Sequence, residues 1–170
     1  KTVSIINVLG SSISRKSDYM LPTVAGTEIG VASTKAFTTQ LLVLALLSLD
    51  IRHKTNMQVD NNNFLKSLFL LPKSIKKALS EKQNIKKLIP WLSKAKSIFY
   101  IGRGTMYPLA LEGALKLKEI TYKHCEGYAA GELKHGPLAL IEKNIPVIAL
   151  APYDEHFHKV ISNIEDIKAR

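Results

Sequence analysis

A single cysteine, Cys125, has no second thiol to pair with, so no intrachain disulfide staples this chain of 170 residues. No apolar leader opens the sequence, and the longest apolar run, Leu41 to Leu47, falls far short of the ~18–20 residues that span a bilayer. No membrane association is expected, a reducing cytoplasmic setting is the default, and Cys125 reads as a small buried residue. A dinucleotide fingerprint is missing too. Gly102 and Gly104 begin one, but Tyr107 stands where the third glycine would fall and no acidic residue follows at ribose-binding distance, which excludes an NAD-binding Rossmann site. Acidic residues are scarce in the middle of the chain: residues 51–100 hold eleven Lys or Arg against two acidic residues, a net +9 of the formal +10. A basic stretch can attract nucleic acid or an acidic surface. Here, however, ten of the eleven cations are lysines, with Arg52 the exception, and they flank apolar residues at helical spacing (Ile75, Ala78, Leu79; Ile85, Leu88, Ile89, Leu92). No nucleic-acid motif accompanies them, so a solvated helical face is expected and no nucleic-acid partner.

What the chain does have is a hydrophobic content of 46%, enough for the core of one domain or parts of two. Ser97 to Ile101 (SIFYI) reads as a strand that runs into Gly102-Arg103-Gly104 and then into a helix opening near Pro108. Strand, glycine turn and helix start are the parts of an α/β ligand site. On that helix Glu112, Lys116 and Glu119 are spaced by four and three residues, so at 100° per residue they share one stripe. Leu115, Leu117 and Ile120 are left for packing. A carboxylate and an ammonium three residues apart pair, which keeps the carboxylate ionised and the lysine protonated, and such a pair can serve as base and electrophile. An exposed helix with ordinary ion pairs would carry the same string.

Beyond the helix, Gly127, Gly131 and Gly136-Pro137 break the chain repeatedly. The breaks are expected to hold a loop over the site and aim Glu132, Lys134 and His135 inward. A histidine titrates near neutrality, so His135 could pass a proton to or from a sugar oxygen; a plain surface loop is the competing reading.

Three strings, GRGTMYPLALEGALKLKEITY, GYAAGELKHGPLAL and AGTEIGVASTKAFTTQL, closely resemble the isomerase half of the glucosamine-6-phosphate synthase family, the isomerizing glutamine:fructose-6-phosphate aminotransferases. The resemblance covers nearly the whole chain and is weakest over residues 50–96. It implies an α/β fold of parallel sheets flanked by helices, built as parts of two sugar isomerase (SIS) domains of flavodoxin-like architecture. The implied activity converts fructose-6-phosphate and glutamine-derived ammonia into glucosamine-6-phosphate, with no metal or organic cofactor. The family's proton-shuttling base falls on Glu119, the lysine one turn earlier on Lys116, and the ring-opening histidine on His135. In the family that histidine reaches the neighbouring subunit, so a homodimer is implied. The substrate-contacting positions fall on Val31, through its backbone, and Ser33, with Glu28 a further candidate.

The departures from the family pattern are also informative. Its phosphate-gripping Ser/Thr-rich loop would precede residue 1, its glutaminase domain with an N-terminal cysteine nucleophile is absent, and its C-terminal lysine-bearing tail would follow Arg170. The chain therefore reads as an internal fragment, expected to lack synthase activity by itself, because a site without its phosphate anchor loses the binding energy that positions the reacting carbons. The expected layout is 1–50 as the C-terminal part of a first SIS domain, 51–96 as a helical linker and 97–170 as the N-terminal part of a second. Within it, a strand at Val3 to Val8 precedes a polar loop, Ser11 to Ser17, and a buried helix capped by Ser33-Thr34 runs to about Leu49. Asn61-Asn62-Asn63 marks a turn before a helix, Pro72 and Pro90 break two or three linker helices, and a strand near Pro146 to Ala151 precedes a closing helix from Asp154. The alternative reading of the same residues is a noncatalytic SIS module that binds sugar phosphates to regulate a partner.

Overall fold

The segment SIFYIG is apolar at both its odd and even positions, the pattern of a strand covered on both faces, and it forms the centre of a three-stranded parallel sheet. This strand, β3 (Ser97–Gly102), lies between β4 (His124–Ala129) and β5 (Val147–Leu150). Phe99 pairs in register with Glu126 on one side and Val147 on the other. Helix α6 (Met106–Thr121) covers one face, where Ile98, Ala114 and Cys125 are buried together with half-buried Tyr100, Leu117 and Ile148. On the other face Phe99, Ile101, Ala130, Leu133 and Ile141 are buried under helix α7 (Phe157–Lys168) and two 3-10 turns, Ala130–His135 and Pro137–Leu140. Phe99 meets Tyr128 edge to face at 5.4 Å between ring centroids.

The structure is a computed structural model that describes residues 1–55 and 61–170. The chain divides into two units, Lys1–Lys82 and Gln83–Arg170. In the first, β1 (Val3–Ile6) and β2 (Tyr19–Pro22) pair in parallel, joined through the one-turn helix α1 (Ser12–Arg15), which Ser11 caps by accepting from the Ser14 N–H. Helices α2 (Lys35–Lys54) and α3 (Asn61–Ser80) follow, then the short α4 (Lys82–Lys86) at the boundary and α5 (Ile89–Lys94) in the second unit. Lys123 Nζ ties the end of α5 to the start of β4 by donating to the carbonyls of Ser93 at 2.8 Å and Ala95 at 2.7 Å. No described helix is long and apolar enough to cross a membrane.

Several sequence expectations are corrected. The expected polar loop at 11–17 contains α1, and β2 follows it unannounced, because YMLP is short and closes on a proline. Helix α2 is only partly buried: Ala36 and Leu49 are covered, but Leu41, Leu44, Leu46 and Ile51 stand exposed, since a two-stranded sheet offers little surface to cover an all-round apolar helix. Thr34 occupies its N-cap position without a side-chain cap bond, and its N–H donates instead to Glu28 Oε1 at 3.0 Å. Pro72 lies inside α3 rather than ending it, and residues 61–63 are that helix's first turn. Pro90 does mark a boundary, in the first turn of α5. The expected linker crosses residues 56–60, which lie outside the described residues. The lysines along α3 to α5 are exposed, as a solvated face requires, and so are Phe69, Leu79 and Ile85.

Gly127 is not a loop breaker but part of β4. A Cβ there would stand 2.9 Å from Leu111 Cα and 3.0 Å from its backbone nitrogen, so glycine is what lets α6 lie down on the strand. Gly102 meets a harder limit, because a Cβ would collide with the Met106 carbonyl and sit 2.8 Å from the Tyr107 nitrogen. Both obstacles are backbone, which cannot swing aside. Gly127→Ala is expected to lower the unfolding free energy by about 1–3 kcal/mol, and Gly102→Ala by more. Urea denaturation checks this, as lower midpoints at unchanged slope.

Candidate active site

The tight passage from β3 into α6 fixes where the helix begins and which residues face the sheet. Ala110 and Ala114, small enough for close approach, are buried against the strands, with half-buried Leu117 one turn further. Glu112, Lys116 and Glu119 follow two positions later and so lie around the helix from that seam. Their side chains keep only 23%, 21% and 32% of their full exposure. Of the three apolar residues expected to pack beside them, Leu117 does so, whereas Leu115 and Ile120 are exposed.

Lys116 is held from both ends. Its ammonium lies 2.7 Å from Glu119 Oε2 in an aligned hydrogen bond and 3.6 Å from Glu112 Oε1. The Glu119 hydrogen bond is the main reason that the Lys116 pKa rises above 10.5; partial burial opposes the rise, and the charges of Glu119 and Glu112 add to it. The lysine is therefore a fixed cation at neutral pH, and Glu119 is its hydrogen-bonded carboxylate. A charge-assisted contact of this length orders both side chains and gives the stripe an acceptor oxygen and a cation side by side.

His135 closes the 3-10 turn Ala130–His135, which buried Ala130 and Leu133 fasten to the core. It does not point inward. Its side chain is 74% exposed, and its Nε2 lies 4.0 Å from Glu132 Oε2, on a side chain itself 71% exposed. Lys134 likewise turns outward and pairs with Asp166 of α7 at 3.0 Å. The expectation of an inward-aimed loop fails because the apolar residues of the turn, Ala130 and Leu133, take its buried places. The turn thus brings together Glu132 and His135, while the α6 stripe is a separate cluster within the same unit.

In the first unit, an open cleft of about 610 Å³ is lined by Asn7, Val8, Leu9, Gly26, Thr27, Glu28 and Ala36. Glu28 borders this cleft and accepts from Thr34, while Ser33 is half-buried and Val31 is 95% exposed. Asn7 was not singled out by sequence reasoning. Its Oδ1 accepts from Thr23 Oγ1 at 3.1 Å and Ala25 N at 2.9 Å, and its Nδ2 donates to the Gly26 carbonyl at 2.7 Å. A lone asparagine after a strand carries no pattern that announces a bridge to a loop about 18 residues away. Among the described residues, no cluster of His, Cys, Asp and Glu could hold a metal ion.

A family description, SIS domain, matches residues 1–49 and 91–170. The isomerizing glutamine–fructose-6-phosphate aminotransferase of Bradyrhizobium diazoefficiens is 50% identical over 99% of this chain, and that of Bartonella henselae is 49% identical over all of it. This chain spans 28% of the length of either relative. Among solved structures, the C-terminal domain of glucosamine-fructose-6-phosphate aminotransferase from Francisella tularensis is similar at a TM-score of 0.95 and 45% identity, over 99% of this chain and 48% of that one. A putative phosphosugar isomerase from Silicibacter pomeroyi follows at 0.84 and 27%, over 98% and 48%. The resemblance read from the three sequence strings is thus met by relatives aligned along the whole chain.

The raised Lys116 value has a measurable consequence. The folded state holds that proton more tightly than the unfolded state, so the stabilisation is fully present below 10.5 and is lost as the pH climbs through the raised value. Burial also raises Tyr100 and Tyr128, which lose stability in the same direction. Lys116→Met is expected to flatten only the lysine's share of the alkaline decline. Denaturation midpoints on either side of 10.5 check it.

Proposed function

The chain belongs to the SIS domain family, and from that premise we propose that it forms the sugar-isomerase portion of an enzyme making glucosamine-6-phosphate from fructose-6-phosphate and glutamine-derived ammonia. The observation that carries this reading is the 2.7 Å contact between Lys116 and Glu119 in a sheltered stripe on α6. Converting a 2-ketose into a 2-amino aldose needs a proton removed from C1 and a proton delivered to C2, and a carboxylate beside a fixed cation is suited to that transfer. Relatives near 50% identity that bear the aminotransferase name support the substrate assignment.

In this account His135 gives a proton to the ring oxygen, the bond from C2 to that oxygen breaks, and the C2 hydroxyl releases its proton, so the furanose opens to the C2 ketone. Ammonia adds to the C2 ketone and water leaves, forming the imine. Glu119 takes a proton from C1, the electron pair shifts through C2 to the imine nitrogen, which picks up a proton to give a C1–C2 enamine, and return of a proton to C2 with loss of the C1 hydroxyl proton leaves the aldehyde and the 2-amine. Lys116 stays protonated throughout and offers its N–H bonds to the substrate oxygen where negative charge develops. Val31, Ser33 and Glu28 bind substrate; the cleft beside Glu28 supports that assignment. The high exposure of His135 supports a homodimer in which this histidine serves the neighbouring subunit. Residues 1–50 and 97–170 are two SIS portions joined by the helices of 51–96, an assignment supported by the two stretches of the family match. The ammonia comes from a glutaminase domain, and a cytoplasmic setting suits a chain whose only cysteine is buried.

Two outcomes are expected of the full-length protein that carries this chain. Glu119→Gln abolishes glucosamine-6-phosphate formation and leaves glutamine hydrolysis intact; a joint loss of both would point to a folding defect and count against the assigned role. His135→Ala loses turnover of fructose-6-phosphate and regains part of it on an open-chain analogue. Absence of that rescue would argue against ring opening by His135.

A further inference from the structure

An exposed histidine that must meet a sugar ring held elsewhere gains nothing from being exposed if its backbone wanders. Orientation therefore has to come from whatever grips the 3-10 turn. Buried Ala130 and Leu133 hold its underside. One charge pairing and one close packing neighbour flank it. On one side Lys134 Nζ lies 3.0 Å from Asp166 Oδ2 on α7. That oxygen is shielded from solvent and has no aligned hydrogen bond, so the contact is a charge pairing and Lys134 is its cation. Exposed pairs of this kind are ordinarily worth little. A carboxylate oxygen cut off from water is different, because removing its cation leaves it unpaired. On the other side the Arg103 guanidinium lies broadside to Gly131: a Cβ on that glycine would stand 3.1 Å from Nη1, 3.5 Å from Cζ and 3.6 Å from Nη2. Arg103 leaves β3 directly after Gly102, which the α6 backbone locks in place. The turn is thereby clamped between α7 and the strand–helix junction, with His135 at its outer end.

We propose that Asp166, through Lys134, and Arg103, across Gly131, are positioning residues that hold His135 aimed at the sugar ring oxygen. None of the three touches substrate in this account, and the proposal rests on the ring-opening role given to His135 above. Its signature is selective: loosening the turn slows ring opening and spares every later step. Gly131 is then required to be glycine because a side chain would push the guanidinium plane away.

The test is steady-state kinetics of the full-length protein on two substrates, fructose-6-phosphate and 5-deoxyfructose-6-phosphate, which lacks the ring-closing hydroxyl. His135→Ala is the reference. Asp166→Asn, isosteric and uncharged, and Arg103→Ala are expected to lower kcat on fructose-6-phosphate by about 10- to 100-fold with little change in KM, and to leave turnover of the open-chain analogue close to wild type. Asp166→Glu restores the rate because it restores the pair. Arg103→Lys does not, because an ammonium cannot lie flat over Gly131. If His135→Ala discriminates between the two substrates while Asp166→Asn and Arg103→Ala do not, the positioning role is wrong and the ring-opening reading stands. Equal losses on both substrates would likewise overturn it, marking the contacts as general supports of the fold. If His135→Ala itself fails to discriminate, the ring-opening reading falls, and the positioning role with it.

Discussion

The close approach of the first turn of α6 to Gly102 is the constraint from which the second unit follows. A strand covered on both faces must end abruptly if a helix is to turn back over it, and only a residue without a Cβ lets the Met106 and Tyr107 backbone come so near. Once the helix starts there, Ala110 and Ala114 face the sheet, Leu111 settles over Gly127, and Glu112, Lys116 and Glu119 are carried around the helix as a sheltered stripe. A side chain at Gly102 would not merely cost packing. It would rotate or lift the helix, and with it the oxygen proposed to move the proton.

The second unit closes its core from both sides of β3, whereas the first does not. Two parallel strands are marginal as a sheet, and around them Val24, Ile29, Val31 and much of α2 remain open to solvent. Order there comes from polar ties instead: Asn7 bridging to Thr23, Ala25 and Gly26, Thr2 N–H donating to Asp18, and Glu28 accepting from Thr34. Electrostatics divides the chain in another way. The lysines of α3 to α5 are spread on exposed faces, while Lys116 is caught between two carboxylates, and only the second arrangement gives a fixed charge in a defined place.

The central strand, the following helix and the Glu112-Lys116-Glu119 stripe were legible because each depends on local periodicity. SIFYI alternates into both faces, and helical spacing alone brings the three charges together. The errors arose where local pattern competes with tertiary context. Gly127 reads as a breaker by itself, yet sits in β4 because α6 needs room. Pro72 reads as a stop, yet α3 continues through it. His135 reads as inward because glycines surround it, but the buried places of the turn go to its apolar residues, Ala130 and Leu133. Asn7 and Arg103 were invisible for the same reason: what they do depends on loops that meet only after folding.

The central claim is that Glu119 moves the C1 proton, and the direct measurement is the fate of that hydrogen. Fructose-6-phosphate deuterated at C1 is given to the full-length protein and to its Glu119→Gln variant, and deuterium at C1, at C2 and in water is followed by NMR. The account predicts that the wild type removes one C1 deuteron, passing it to C2 or to solvent at a slower rate than it moves hydrogen, and that the variant leaves C1 untouched although it still binds the sugar. Removal of C1 deuterium by the Glu119→Gln protein at the wild-type rate would contradict it.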